Sequence, residues 1–303
     1  MLSRFAFIVL SIVALVACRH PDARTPPHHA ITSIRHEVTS VRTPDGVQIA
    51  VQTWGNPKGR PIVFVHGLAQ SHLSWTRQVA SSLGDEFRLV TYDLRGHGDS
   101  DKPQEAPYYE EGRRWGEELA AVLDGLGAER PIVVGWSLGG VVIANYLAAH
   151  GDAHLAGIVL VAAVTKLDSA LLGHVPPLAS PDLATRVGAS REFLRDCFAV
   201  PPTGEEFETM LAYNAQVPRV VFSVVPRITL DGADAAFGKV KVPVLVLQGS
   251  EDKLVKMAMA QRSVALVPGA RLAVYQGVGH APFYERADTF NGDLAAFARA
   301  ATP

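Results

Sequence analysis

At 303 residues, with a formal net charge of −2, 48 % apolar and 19 % charged residues, the chain has the size and balance of one large globular domain or two small ones. A near-neutral balance without a charge run gives no footing for nucleic acid or strongly acidic partners. The absence of repeats and low-complexity tracts excludes an array or a disordered chain.

The first eighteen residues, MLSRFAFIVLSIVALVAC, depart from that average. Arg4 supplies a basic start, and Phe5 to Ala17 run without a charge. A run of roughly 13 residues is short of the ~20 that span a bilayer and suits the apolar region of a signal peptide. It ends in Leu15-Val16-Ala17-Cys18, which resembles the lipobox of bacterial lipoproteins. The resemblance implies a signal peptide over 1–17, lipid on Cys18, export, and anchoring to a membrane on its periplasmic or cell-surface side; a plain signal peptide or an uncleaved anchor is the alternative. Residues 18–36, rich in Pro and polar residues, read as a flexible tether; the adjacent His28 and His29 within it could bind a metal but read as unspecific parts of the tether. Cys18 and Cys197 are the only cysteines. Lipid on Cys18 therefore leaves no disulfide, and Cys197 reads as a small buried hydrophobe.

The folded domain is expected over 37–303. HEVTSVRTPDGVQIAVQTWG reads as two strands about a Pro44-Asp45-Gly46 turn, where Pro presets φ and Gly admits a positive φ. PIVFVHG (61–67), FRLVTYD (87–93) and PIVVGW (131–136) are short apolar β-branched runs of the kind that fill fully buried parallel strands. SWTRQVASSLG and RRWGEELAAVLDGLG lie between them with helical spacing. AGIVLVAA (156–163), VPVLVLQG (242–249) and ARLAVYQG (270–277) continue the strands, with the helical MAMAQRSVALV before the last and DTFNGDLAAFARA closing the chain. This alternation predicts an α/β fold, a mostly parallel sheet flanked by helices with an antiparallel leading edge. It breaks once, over about 165–238, which reads as a helical cap inserted above the carboxyl ends of the strands, where open α/β sheets bind ligands.

Gly135-Trp136-Ser137-Leu138-Gly139 follows one buried strand and precedes the helix pattern VVIANYLAAH. That is the setting of a G-x-S-x-G nucleophile elbow, whose tight turn needs glycines where backbones approach and exposes the serine hydroxyl. A serine hydroxyl needs a base, and the base an orienting acid, in the chain order Ser, acid, His. Beyond the start of the cap stand two histidines, His174 within it and His280 just past the last strand, and His280 has the required place. The loop after VLVLQG offers Glu251 and Asp252 as the acid. The tetrahedral oxyanion needs N–H donors; Leu138, after the serine, is one, and the loop carrying VHGLAQS is the expected source of the second.

HG at 66–67, YDLRGHGDS at 92–100, GWSLGG at 135–140, a late Asp and GVGH at 277–280 together resemble the α/β-hydrolase superfamily over nearly the whole chain from Glu37 onward. The resemblance implies the α/β-hydrolase fold with an inserted helical cap, favours Asp252 by its G-x-x-D spacing from Gly249, and assigns Leu68 as the second oxyanion donor. It makes His66 and the Asp93, Arg95 and Ser100 turn structural. HGLAQSHLSW, GWSLGG and AYNAQVP look closest to small serine esterases and non-haem haloperoxidases, which implies no cofactor; neither a dinucleotide fingerprint nor clustered metal ligands stand against that. Trp136, Trp75, Phe283, Phe198, Phe207 and Phe222 either line an apolar acyl pocket or pack in the core; Trp136 is preferred because it borders Ser137. The function implied is hydrolysis of a small carboxylic ester through an acyl-enzyme on Ser137, with a small-molecule acyl substrate as the partner. Perhydrolysis, lactone, carbon–carbon or aminopeptidase chemistry on the same residues, and a non-enzymatic binding lipoprotein, are the alternatives.

Overall fold

A computed structural model describes residues 36–301. The expected signal peptide, the Cys18 lipid site and the tether through residue 35 lie outside the described residues.

Eight strands form one sheet in the order β1-β2-β4-β3-β5-β6-β7-β8. β1 (His36–Arg42) and β2 (Gln48–Gly55) are the antiparallel pair about the Pro-Asp-Gly turn, with Val38 opposite Gln52 and Val41 opposite Ile49. β2 also runs antiparallel to β4 (Arg88–Tyr92). β3 (Pro61–Val65), β4, β5 (Ile132–Trp136), β6 (Gly157–Val161), β7 (Val244–Gly249) and β8 (Arg271–Tyr275) are parallel to one another. β5, β6 and β7 are buried at every position, which is why their sequence is apolar on both faces rather than alternating, with Gln248 in β7 as the polar exception.

The stretch before β4 is not one helix. It breaks into a 3₁₀ turn at His72–Trp75 and two single-turn helices, α1 (Thr76–Val79) and α2 (Leu83–Glu86). After β4 come α3 (Pro107–Glu110) and α4 (Gly112–Gly125), whose buried Trp115, Leu119, Val122 and Leu123 recur at helical spacing. α5 (Leu138–His150) is buried along its first ten residues because α4 and α9 cover the side turned away from β5. The insert between β6 and β7 carries α6 (Leu183–Asp196), α7 (Gly204–Ala215), α8 (Arg219–Val224) and α9 (Ala233–Phe237). α10 (Met257–Leu266), α11 (Pro282–Glu285) and α12 (Ala287–Ala300) complete the chain.

The sheet order locates a crevice. From β3 the chain steps outward to β4, then crosses back over β3 to β5 and continues the other way through β6, β7 and β8. Connections therefore diverge between β3 and β5, and loops leaving the carboxyl ends of those strands part to leave room for a ligand. Leu68 follows β3 and Ser137 follows β5.

Candidate active site

Ser137 sits between the last residue of β5 and the first of α5, with φ 53° and ψ −111°. That backbone region is costly for a residue with a side chain and persists only when the surroundings over-determine it. Here they do: its N–H donates to Val161 O at 3.1 Å, and its carbonyl accepts from Gly140 N and Val164 N, both at 2.9 Å. Helix and strand also come too close for side chains. A Cβ on Gly139 would stand 2.6 Å from Val65 O, and one on Gly135 would stand 2.5 Å from Ile143 Cδ1. Leu138, as the first residue of α5, has an N–H with no intrahelical acceptor.

The second expected donor lies on a loop held from both sides. Leu94 N donates to His66 Nε2 at 3.0 Å, so the His66 proton is on Nδ1, which donates to Gly67 O at 2.8 Å. Ala69 N donates to His97 Nε2 at 3.1 Å, and His97 Nδ1 donates to Arg95 O at 2.9 Å. Both rings are buried, and burial pushes their pKa down to about 4 for His66 and about 3 for His97, so each stays neutral with one donor and one acceptor in use. Leu68 lies between these anchors.

His280 and Asp252 come from the loops after β8 and β7, and both side chains are 1 % exposed. Asp252 Oδ2 lies 2.8 Å from His280 Nδ1. A carboxylate only accepts, so Nδ1 carries the proton and Nε2 the free lone pair. Gln248 Nε2 donates to the same Oδ2 at 2.8 Å, while Oδ1 accepts from Leu254 N and Val255 N at 2.9 Å each. Glu251, the alternative acid, is exposed and bonds Ser250. His174 is likewise 74 % exposed, beside Glu192. The His280 backbone is fixed as well: its N–H donates to Cys197 O at 3.0 Å, and its carbonyl accepts from Trp136 Nε1 at 2.8 Å. The residue before Ser137 therefore grips the residue that carries the imidazole.

Ser137, Leu68 and Leu138 line a cavity of about 500 Å³ with Val141, Leu178 and Phe222 among its apolar walls; Asp168 and Ser169 add polarity at one side. Much of that wall comes from the insert, which is stitched to the site. Gly173 N donates to Leu254 O at 2.8 Å and Lys256 N to Leu171 O at 3.0 Å, beside Asp252. Glu285 Oε1 accepts from Gly279 N, and its Oε2 from Ala199 N and Val200 N, joining the His280 loop to the insert.

The expected pocket aromatics need correction. Trp75, Trp136 and Phe283 are all buried and line no part of this cavity. They stack together behind it, with ring centroids 4.4 Å apart for Trp75 and Phe283 and 4.7 Å for Trp136 and Phe283. Adjacency to Ser137 misled here because successive strand residues point to opposite faces and the elbow reverses the chain. Phe198 packs on Tyr284 and Phe207 lies under Arg195; Phe222 alone of the six borders the cavity. Cys197 is buried, and burial together with the nearby Asp252 pushes its thiol pKa well up, as suits a packing residue.

Sequence reasoning passed over Gln248, Glu285 and His97. Gln248 had a signal, a polar residue inside the apolar run VLVLQG; Glu285 and His97 had none. Asp93, Arg95 and Ser100 are buried behind the site. Asp93 takes His72 N, His72 Nδ1 and Asp99 N; Arg95 pairs with Glu118 at 2.7 Å and Asp45 at 2.8 Å; Ser100 bridges Asp93 O and Ala50 N. Among the described residues, His72, Asp93 and Asp99 are the metal-compatible group, with ligand atoms within 4.8 Å of one another. His72 and Asp93 already close on each other as an ion pair.

The profile of the alpha/beta hydrolase fold family matches residues 60–287. The chain is 31 % identical over 285 residues to a bifunctional esterase/perhydrolase of Acinetobacter calcoaceticus, covering 86 % of this chain and 99 % of that one. It is 30 % identical over 285 residues to a non-heme haloperoxidase of Rhodococcus erythropolis, covering 85 % and 98 %. A crystal structure from Burkholderia cenocepacia, assigned as an aryl esterase, superposes with a TM-score of 0.85 at 42 % identity, covering 88 % and 99 % of the two chains.

Proposed function

We propose that this chain, which belongs to the α/β-hydrolase family, hydrolyses small carboxylic esters with Ser137 as nucleophile, His280 as general acid and base, and Asp252 as the carboxylate that orients it. The chain is a hydrolase enzyme, and ester cleavage or a perhydrolase-like reaction is the activity its relatives support. The observation that carries the finer reading is the buried His280–Asp252 pair at 2.8 Å, tied by its backbone to Trp136 beside the strained Ser137.

In this reading Ser137 Oγ attacks the ester carbonyl carbon while its proton passes to His280 Nε2, and the imidazolium is stabilised by Asp252. The charge that forms on the carbonyl oxygen is met by the Leu68 and Leu138 N–H groups. The carbon–oxygen bond to the alcohol breaks as His280 returns the proton to it. Water, losing a proton to His280, then attacks the acyl-enzyme; the acid leaves and the Ser137 hydroxyl is restored. An apolar cavity around the attack site supports an uncharged acyl or aryl group as the bound part. Hydrogen peroxide in place of that water would give a peracid from the same acyl-enzyme, a second reading favoured by the esterase/perhydrolase relative.

Ser137→Ala should keep the far-UV spectrum and lose at least about a thousand-fold in kcat on p-nitrophenyl butyrate. Turnover equal to wild type would overturn the assignment. For location, we propose an exported lipoprotein held by lipid on Cys18, supported by the apolar run and its Leu-Val-Ala-Cys end. Among the described residues no helix is long and apolar enough to cross a membrane. Expressed with its leader, the protein should partition with membranes and take up labelled palmitate, and Cys18→Ser should abolish the label; label retained in that variant refutes lipid at this residue.

A further inference from the structure

Ala69 follows the expected donor Leu68 and has φ 60°, the left-handed region that Gly and Asn enter readily and Ala does not. Gln70 N donates to Gly67 O at 3.3 Å, which makes Leu68 and Ala69 the central residues of a turn. Positive φ at the second of them alone is the type II pattern. The commoner type I turn differs by a flip of the peptide joining these two residues, and it suits Ala better. The ends of the turn are pinned: Gly67 O also accepts from His66 Nδ1, and Gln70 Oε1 accepts from the Tyr213 hydroxyl of α7 at 3.2 Å. The central peptide is held through Ala69 N, which donates to His97 Nε2 at 3.1 Å, and both residues are 0 % exposed. This turn stands directly against the nucleophile, because a Cβ on Gly67 would lie 3.1 Å from Ser137 Cβ.

We infer that His97 is a positioning residue for ester cleavage: its Nε2 lone pair keeps Ala69 in the left-handed region and so holds the Leu68 N–H where the oxyanion forms. The inference rests on the ester-hydrolase reading above and adds a requirement to its oxyanion site. Flipping the central peptide would turn the Leu68 carbonyl toward His97 and the Ala69 N–H away. Because His97 Nδ1 donates to Arg95 O at 2.9 Å, Nε2 carries a lone pair and no proton, and a flipped carbonyl meets a second acceptor. His97 thus favours the strained turn twice, by bonding one orientation and repelling the other. With the lone pair removed, the turn relaxes toward negative φ at Ala69. Leu68 carries one end of the moving peptide, and oxyanion donors act only within about 2.7–3.1 Å of the charge they stabilise. Ser137, His280 and Asp252 are held by other contacts, so the loss falls on the oxyanion rather than on proton transfer.

Two substrates read that loss: p-nitrophenyl butyrate and its thiono analogue, with sulfur in place of the carbonyl oxygen. Sulfur accepts hydrogen bonds weakly, so the oxo-to-thiono ratio of kcat/KM reports the N–H donors and not the proton relay or the amount of folded protein. His97→Phe keeps a buried aromatic ring without the acceptor, and the ratio should fall about ten-fold, the effect of one misplaced neutral hydrogen bond. Adding Ala69→Gly, which adopts positive φ without strain, should recover at least about three-fold of that ratio. A ratio unchanged in His97→Phe, or no recovery with Ala69→Gly, overturns the positioning role while leaving ester hydrolysis standing. In the wild type, whether or not the variants fold, an NMR coupling across the hydrogen bond between Ala69 N and His97 Nε2 is expected, and its absence overturns the role as well. Wild-type protein that turns over neither substrate overturns the ester-hydrolase reading, and the positioning role falls with it.

Discussion

Asp252→Asn is the substitution whose consequence the geometry determines most fully. Asn has the shape of Asp, but one of its ends is an NH₂ that donates instead of accepting. Oδ1 of Asp252 takes two backbone N–H groups, from Leu254 and Val255 at 2.9 Å each. Neither backbone donor can become an acceptor, so the amide oxygen must occupy that end. The NH₂ then faces His280 Nδ1 and Gln248 Nε2, which lie 2.8 Å from Oδ2 in the wild type. Gln248 is able to turn its own amide oxygen toward the new donor, whereas His280 meets it only by moving its proton to Nε2. That tautomer has no lone pair for the Ser137 proton. In a serine protease the same exchange costs about 10⁴ in kcat, or about 5 kcal/mol of barrier at roughly 1.4 kcal/mol per factor of ten. We expect a loss of that order here on p-nitrophenyl butyrate at pH 7.5, with the urea midpoint little changed because size and burial are kept. A variant retaining kcat within ten-fold of wild type would refute the orientation of His280 by Asp252.

Three further outcomes test the scaffold. Gly139→Ala brings a Cβ to 2.6 Å from Val65 O; strand β3 or the elbow must shift, and kcat/KM should fall at least about a hundred-fold, so wild-type activity would show that the close approach is dispensable. Trp75→Ala empties the aromatic stack behind the elbow and should destabilise by about 3–5 kcal/mol in urea melts; a loss under 1 kcal/mol would mean that the stack is not core. Asp93→Asn tests a pH window. Burial raises the Asp93 pKa, but the hydrogen bond and charge of His72 outweigh it and hold the group down at about 2 against 3.8 when unfolded. Asp93 therefore adds about 2 kcal/mol above pH 4, lost as pH falls through about 2. His72, whose pKa that same carboxylate raises against the effect of burial, adds stability below its unfolded 6.5, lost as pH rises through its raised value. The wild-type advantage over Asp93→Asn in melts from pH 3 to 8 should be widest between about 4 and 6.5, and a constant difference across that range would refute the pairing.

The elbow was legible because its requirements are local: a buried strand, a helix, and glycines at the points where Val65 and Ile143 now press. The parallel sheet was legible too, since the runs that form β5, β6 and β7 are almost wholly apolar and suit the inside of a sheet covered on both faces. His280 was singled out by its place past the last strand, and the structure sets it against Asp252. The choice between Glu251 and Asp252 leaned on resemblance, and burial is what separates them in space. The aromatic pocket was misread because apolarity marks a residue for burial without saying whether it faces ligand or core. Gln248, Glu285 and His97 stayed hidden because their partners are distant in sequence: Glu285 joins Gly279 to residues 199 and 200, and His97 holds Ala69.

By itself, then, the sequence determined the alternation of strands and helices and the strained turn at Ser137, because each depends on neighbours within a few residues of chain. Which carboxylate meets His280 and what walls the cavity were decided by tertiary structure. Those facts depend on loops from β5, β7, β8 and the insert converging at one end of the sheet, and convergence is a property of the packed chain.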